Sequence, residues 1–373
     1  MPVSTPWSLL LLALLLFALL LLVLEVSHRL RPRSPLQLRA SDFTVSSHAT
    51  GLQIDGVLTI SNPHRRMEVF VPELWLKPVL LGQASLDAVH VHSRITADHP
   101  DAAARPDGYW AAYIVKGHKS TQAKVQVQID TPGRDPASLL DTLWLELHWA
   151  NYGPFGRLWR RDGVLVPLQR PTPVAAAAAR WRRDDGHAVL PLGTHLLGVL
   201  DDPIAMLRHY AGPHLQPGDV LTIGETPLAV MQGRYHHPAT VRPSALARQL
   251  CRVFHPTSSL ATACGLQSLI DLVGPARVLC AWLLGSLLKP LGFKGWFYRL
   301  AGDQARLIDD VTGTTPPYDQ TIVLGPLDPE RFCSEAAAAL GVDVAVVDVN
   351  DLGRVKVLAA NRGCDQELLQ RAL

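Results

Sequence analysis

Every residue from 9 to 24 is apolar, and no other feature of the chain narrows its possible structures as much. With Trp7, Ser8, Glu25 and Val26 the stretch reaches the roughly 20 residues needed to cross a hydrocarbon core. A Leu-rich run with no polar side has no seat inside a soluble domain of this size, so a spanning helix is expected rather than a core helix. Residues 1–8 contain no Lys or Arg, and no small-residue cleavage site follows before Glu25, which favours an uncleaved anchor over a secretory signal. Arg29, Arg31, Arg33 and Arg39 all lie on the far side. That asymmetry predicts a single-pass protein, bound to the lipid bilayer through residues 7–26, with everything from His28 onward in the cytoplasm.

The remaining chain is large enough for two packed domains, because 373 residues with a hydrophobic fraction of 48% can bury more than one core. A charged fraction of 18% and a net charge of +2 argue against a disordered chain and against a nucleic-acid partner. Cys251, Cys264, Cys280, Cys333 and Cys364 are odd in number and widely spaced, which gives neither a disulfide framework nor a zinc pattern. Each reads as a small buried hydrophobe or an idle thiol. His90, His92, His118, His236 and His237 also lack metal-ligand spacing.

Residues 37–168 alternate with period two, most clearly at 124–129 and 143–149, as strands with one wet face do. Further strands are expected at 52–61, 67–77 and 88–95, separated by turn-forming segments such as Asn62-Pro63-His64. Short strands at this spacing predict an antiparallel sandwich. Composition changes at Arg170-Pro171-Thr172-Pro173 and the alanine run that follows. Beyond residue 187 strands and helices alternate, with strands at 188–192 and 219–223 and helices at 245–254, 260–273, 278–288 and 335–340. The strand at 344–349, apolar apart from Asp348, should be central in its sheet. Residues 279–288 are too few to span a membrane, which leaves a core helix or a membrane-apposed face. The expected organisation is α+β: anchor 1–28, β-sandwich 36–170, linker 171–186 and a mixed α/β domain 187–373.

Standard catalytic signatures are missing: there is no Walker loop, dinucleotide fingerprint, nucleophile elbow or paired-His zinc helix. What remains is acidic. Asp303, Asp309 and Asp310 lie in one segment, and Asn350 and Asp351 follow the apolar strand. Carboxylates at strand ends suit a hard cation such as Mg²⁺, although Asp and Asn also cap turns and helices there.

Two resemblances sharpen this reading. Residues 51–63, ending in Asn62-Pro63, resemble one strand and turn of the late-embryogenesis-abundant type 2 sandwich. From about residue 191 onward the chain resembles the coenzyme F-420-0 γ-glutamyl ligase family. The resemblance is carried by Gly218-Asp219-Val220, Glu225, Gln232-Gly233-Arg234 before Pro243-Ser244, the segment from Lys294 to Asp303, Asp328-Pro329-Glu330, and the segment from Val346 to Arg354. It implies a mixed α/β ligase-like domain that uses GTP and a divalent metal, Mg²⁺ or Mn²⁺, to join glutamate to a carboxylated small-molecule acceptor through an acyl phosphate. It further implies metal ligation by Asp303, with Asp309 as the alternative register, and by Asn350 with Asp351. Glu225 and Arg234 become the nucleotide contacts, with Arg suited to a bidentate phosphate grip.

Departures from the family pattern support a second reading, a non-catalytic membrane-associated platform on the same fold. Asn350 stands for an Asp, Glu225 for a basic residue and Gln232 for a Glu. The chain stops at Leu373, and the sandwich and anchor are additions to a soluble ligase. Convergence of Asp303, Asp309 and Asp351 on a common cation is what separates the two readings.

Overall fold

The computed structural model describes residues 6–29, 34–48, 50–175, 178–184, 187–292, 295–310, 315–349 and 355–372. It opens with α1 (Pro6–Arg29), a 24-residue helix. Residues 7–26 of it have a mean hydropathy of 3.2 with no share buried. At 1.5 Å per residue those 20 residues measure about 30 Å, long enough to cross a bilayer.

Strict alternation builds the sandwich. In β6 (Ser120–Asp130), Thr121, Ala123, Val125, Val127 and Ile129 point inward between exposed polar neighbours. The other strands are β1 (Gln37–His48), β2 (Gly51–Ser61), β3 (Val69–Leu81), β4 (His90–Asp98), β5 (Tyr113–Val115), β7 (Thr142–Gly153) and β8 (Gly156–Pro167). They form two antiparallel four-stranded sheets, ordered β1-β2-β6-β4 and β5-β3-β7-β8. Ile54, Leu58, Ile60, Val127, Ile129, Leu143, Leu145, Leu147 and Trp149 fill the space between the sheets, fully buried. Each such aliphatic side chain contributes about 2 kcal/mol by leaving water.

The Asn62-Pro63 turn is tied into this core. Asn62 is buried; its Nδ2 donates to the carbonyls of Met67 at 2.7 Å and Val115 at 2.9 Å, and its Oδ1 accepts from the His64 amide. Strand β7 departs from the expected wet face, since residues 142–147 are all buried. Its core-facing side meets the opposite sheet, and its outward side is covered by the second half of the chain. Strand β8 escaped the periodicity because Arg157, Arg160 and Arg161 sit between Gly156 and Gly163, a composition that reads as a loop.

The second half starts with the hairpin β9 (Arg182–Asp184) and β10 (His187–Val189), so part of the expected linker is strand. Next come α2 (Pro203–Ala211), capped by Asp202, then β11 (Val220–Gly224), α3 (Glu225–Met231) and β12 (Tyr235–His236). A helical layer follows, made of α4 (Ala245–Leu250), α5 (Ala263–Val273), α6 (Pro275–Leu288), α7 (Trp296–Ala301) and α8 (Gln304–Leu307). The chain closes with β13 (Asp309–Asp310), β14 (Ile322–Val323), α9 (Pro329–Leu340), β15 (Asp343–Val349), β16 (Val355–Ala360) and α10 (Gln366–Ala372). Two small sheets result, β11-β15-β16 and β12-β14-β13. The apolar strand β15 is central as expected, parallel to β11 and antiparallel to β16.

The halves are packed together. Trp144 and Leu165 of the sandwich join Ala229 and Val230 of α3, Tyr318 and Val323 in one buried cluster. The Trp144 ring meets Tyr318 edge-on at 5.6 Å, and the Tyr235 hydroxyl donates to the Gly163 carbonyl at 2.8 Å. Arg170 pairs with the buried Asp201, which also lies 3.1 Å from His195 Nε2.

Candidate functional site

Three carboxylates from distant parts of the sequence meet where β11 and β15 end. Glu225 opens α3 directly after β11, and Gly224 pairs with Val347 in the parallel ladder. This sets Glu225 beside Asp348, whose cross-strand partner is Lys356. Asp309 approaches from β13 in the other sheet. Burial raises the Glu225 carboxyl to about 8, with further increments from Asp348 and Asp309 and a partial offset from Lys356. Asp309 is raised for the same reasons, burial first and then Asp348. Glu225 Oε2 is buried and has no hydrogen-bond partner among the described residues. Leaving such an atom unpaired costs free energy, and carboxyls perturbed by burial plus a specific charge neighbour mark functional sites.

The other site residues expected from the sequence fall as follows. Asp303 is exposed on the turn before α8, whereas Asp309, the alternative register, is the one within electrostatic reach of Glu225. Asn350 and Asp351 lie outside the described residues. Arg234 is half-buried, and burial lowers its pKa. Its Nε donates to the Gly325 carbonyl at 3.1 Å and its Nη2 to Gln304 Oε1 at 3.4 Å. Gln232 clamps the same turn, donating to the Leu327 carbonyl and accepting from the Leu327 amide. Gln232-Gly233-Arg234 thus holds the turn before α9.

Asp348 and Lys356 were not singled out by sequence reasoning. The available signal was an Asp inside an otherwise apolar central strand, a position where an unpaired charge is costly. Among the described residues, no three His, Cys, Asp or Glu side chains converge tightly enough to hold a metal ion. The cluster is a shared electrostatic environment at the ends of β11 and β15.

Two cavities flank this region. One of about 590 Å³ borders Gly224, Pro227 and Met231 around Glu225 and is lined by apolar residues such as Leu192, Leu207 and Ile223. A larger cleft of about 780 Å³ lies between the sandwich and the second half and contains none of the three carboxylates. Its walls carry Glu146, Arg161, His236 and His237. Burial would raise Glu146, but bonds from Arg161 at 2.6 Å and His148 at 3.2 Å outweigh it and leave the carboxyl below its ordinary value. Burial lowers His236 to about 4, so it is a neutral imidazole beside Ser268 Oγ. Glu146 and Arg161 of this cleft are matched to one another, whereas Glu225 Oε2 has no partner among the described residues. The candidate site is therefore the acidic cluster rather than the larger cleft.

Two antiparallel sheets packed face to face, followed by a mixed α/β unit, define an immunoglobulin-like sandwich joined to a second, α/β domain. Residues 37–170, the sandwich, match the family described as F420-0:gamma-glutamyl ligase, N-terminal Ig-like domain. That description places an Ig-like domain at the N-terminus of the ligase, so a sandwich is not foreign to such proteins, contrary to the sequence expectation. No curated protein matches the chain. Similar solved structures include the GAE domain of GGA2p from Saccharomyces cerevisiae, at 9% identity over 37% of this chain and 95% of that one, with a TM-score of 0.22. Another is the ASH/PapD-like domain 7 of human CEP192, at 12% identity over 37% and 87% respectively, TM-score 0.20. A third is the CupB6 tip adhesin from Pseudomonas aeruginosa, at 10% identity over 52% and 61%, TM-score 0.23.

Proposed function

We propose that this chain is a membrane-anchored γ-glutamyl ligase-like enzyme that uses GTP and Mg²⁺ or Mn²⁺ to form an amide between glutamate and a carboxylated acceptor. The observation that carries the reading is Glu225: a buried carboxyl with an unpartnered oxygen, flanked by Asp309 and Asp348 at the carboxyl ends of two parallel strands. Open α/β sheets bind ligands in the crevice at that end of the strands.

A hard divalent cation takes carboxylate oxygens, and the described carboxylates do not by themselves converge on one. The family resemblance assigns the metal to Asp309, Asn350 and Asp351, and Glu225 and Asp348 would add negative charge beside Asp309. When bound, the cation would supply charge neutralisation to transferring phosphoryl oxygens. The chain's own groups do the rest. Lys356, opposite Asp348, offsets part of the negative charge; Arg234 and Gln232 hold the turn before α9 in place. The largely apolar cavity at Gly224 and Pro227 offers room for the acceptor. In this reading α1 is an uncleaved anchor and the two domains are cytoplasmic.

A non-catalytic platform on the same fold is the second reading, favoured by the lack of a converged ligand set among the described residues. Equilibrium binding of Mn²⁺ and GTP to the detergent-solubilised full chain decides between them. Cation binding must displace the Glu225 proton, so affinity should strengthen as pH rises through about 8. Glu225→Gln, Asp309→Asn and Asp348→Asn should each weaken binding by about 10-fold or more. If neither Mn²⁺ nor GTP binds at any pH, the platform reading stands and the ligase reading is lost.

A further inference from the structure

The helical layer of the second domain carries an apolar surface that no part of the described residues covers. Helix α6 buries Val278 and Ala281, and Gly285 lies so close to Phe297 that an added Cβ would sit 3.0 Å from its backbone nitrogen. The opposite face is bare. Leu279, Leu283, Leu284 and Leu287 recur at helical spacing and are exposed, Leu287 to 68%, with Cys280 exposed among them. Leu272 of α5 extends the patch, and exposed Lys289 closes its end. At 14 residues α6 measures about 21 Å and cannot span a bilayer. It also cannot span jointly with α5, because the two are bent by 112° and residues 265–270 of α5 are buried in the domain core.

The position of this layer relative to α1 says what covers it. Helix α1 ends at Arg29, and five residues later the Ser34 hydroxyl accepts from Asn151 Nδ2 at 2.8 Å. Five Cα steps reach at most about 18 Å. The Leu36 carbonyl accepts from Arg160 at 2.7 Å, so the chain enters the sandwich at the β7–β8 turn. Exposed Tyr152, Trp159 and Phe70 cluster at that end, with Arg157 over the Trp159 ring, the aromatic and basic pattern of a membrane interface. The same turn touches the helical layer: the Arg157 carbonyl accepts from Arg242 at 3.1 Å. Arg242 leads into α4, α4 packs on α5, and α5 packs on α6.

We infer that the apolar face of α6 lies in the surface of the bilayer into which α1 inserts, so that the second domain is seated on lipid at its helical layer. This rests on the anchor reading of α1, and the experiment separates the two. The full chain carrying Cys264→Ser and Cys364→Ser is labelled at native Cys280 with an environment-sensitive fluorophore and reconstituted into phosphatidylcholine vesicles with or without brominated acyl chains. Blue-shifted emission that the brominated lipid largely quenches is expected, and Leu283→Glu with Leu287→Glu should abolish that quenching while the protein stays in the vesicles. A probe at Glu335→Cys on α9 should remain unquenched. Protein that resists alkaline carbonate extraction but shows an unquenched Cys280 probe, or equal quenching at position 335, keeps the anchor and overturns the seating. Release by carbonate overturns the anchor and the seating together.

Discussion

Glu225 holds a proton where an ordinary glutamate would have lost it. Its folded pKa is about 8 against an unfolded value of 4.5, so between those limits the folded chain binds more protons than the unfolded one. Stability therefore falls as pH rises across that window, and the full penalty is present above pH 8. Glu225→Gln removes the titration. In chelator, the variant should match the native chain near pH 4.5 and exceed it by up to about 5 kcal/mol at pH 9, read from urea unfolding at the two pH values. His236 acts in the opposite sense at lower pH, since its folded pKa of about 4 makes stability fall as pH drops below 6.5. It is common to both proteins and cancels from the comparison. Identical pH profiles for native chain and variant would mean that Glu225 is not desolvated.

At the scale of single elements, the Asn62 corner shows how a short motif acquires weight. One side chain there satisfies the carbonyls of Met67 and Val115 and the amide of His64, joining the end of β2 to the approach of β3 and the end of β5. Asn62→Ala leaves all three buried or half-buried groups unpaired. It should lower stability by about 2–3 kcal/mol, visible as a drop in the urea midpoint; a loss below about 0.5 kcal/mol would show that water replaces the amide. The Asn-Pro turn was legible in the sequence because its residue types are punctuation wherever they occur. The three partners of Asn62 were not, as Val115 lies 53 positions away.

For the whole molecule, the decisive surface is the one between sandwich and α/β domain. Trp144 fills it, and Gly163 makes room for the ring, since a Cβ there would fall 1.9 Å from Trp144 Cζ2. Trp144→Ala should cost about 3–5 kcal/mol and divide a single calorimetric transition into two, with Gly163→Ala producing the same division; one unchanged transition would mean that the halves are coupled elsewhere. Local order along the chain already determined α1, the alternating strands β2, β6 and β7, and the central apolar strand β15, because a run or a period of apolar residues dictates burial without reference to distant partners. It also carried Glu225 and Asp309 of the site, but not Asp348. Tertiary structure alone decided that Glu225, Asp309 and Asp348 share one electrostatic environment, that Asp303 stays exposed, and that β7 is covered on its second face. Each of these depends on which distant segments cross, and hydrophobic periodicity records only whether a residue leaves water, not what it meets on the other side.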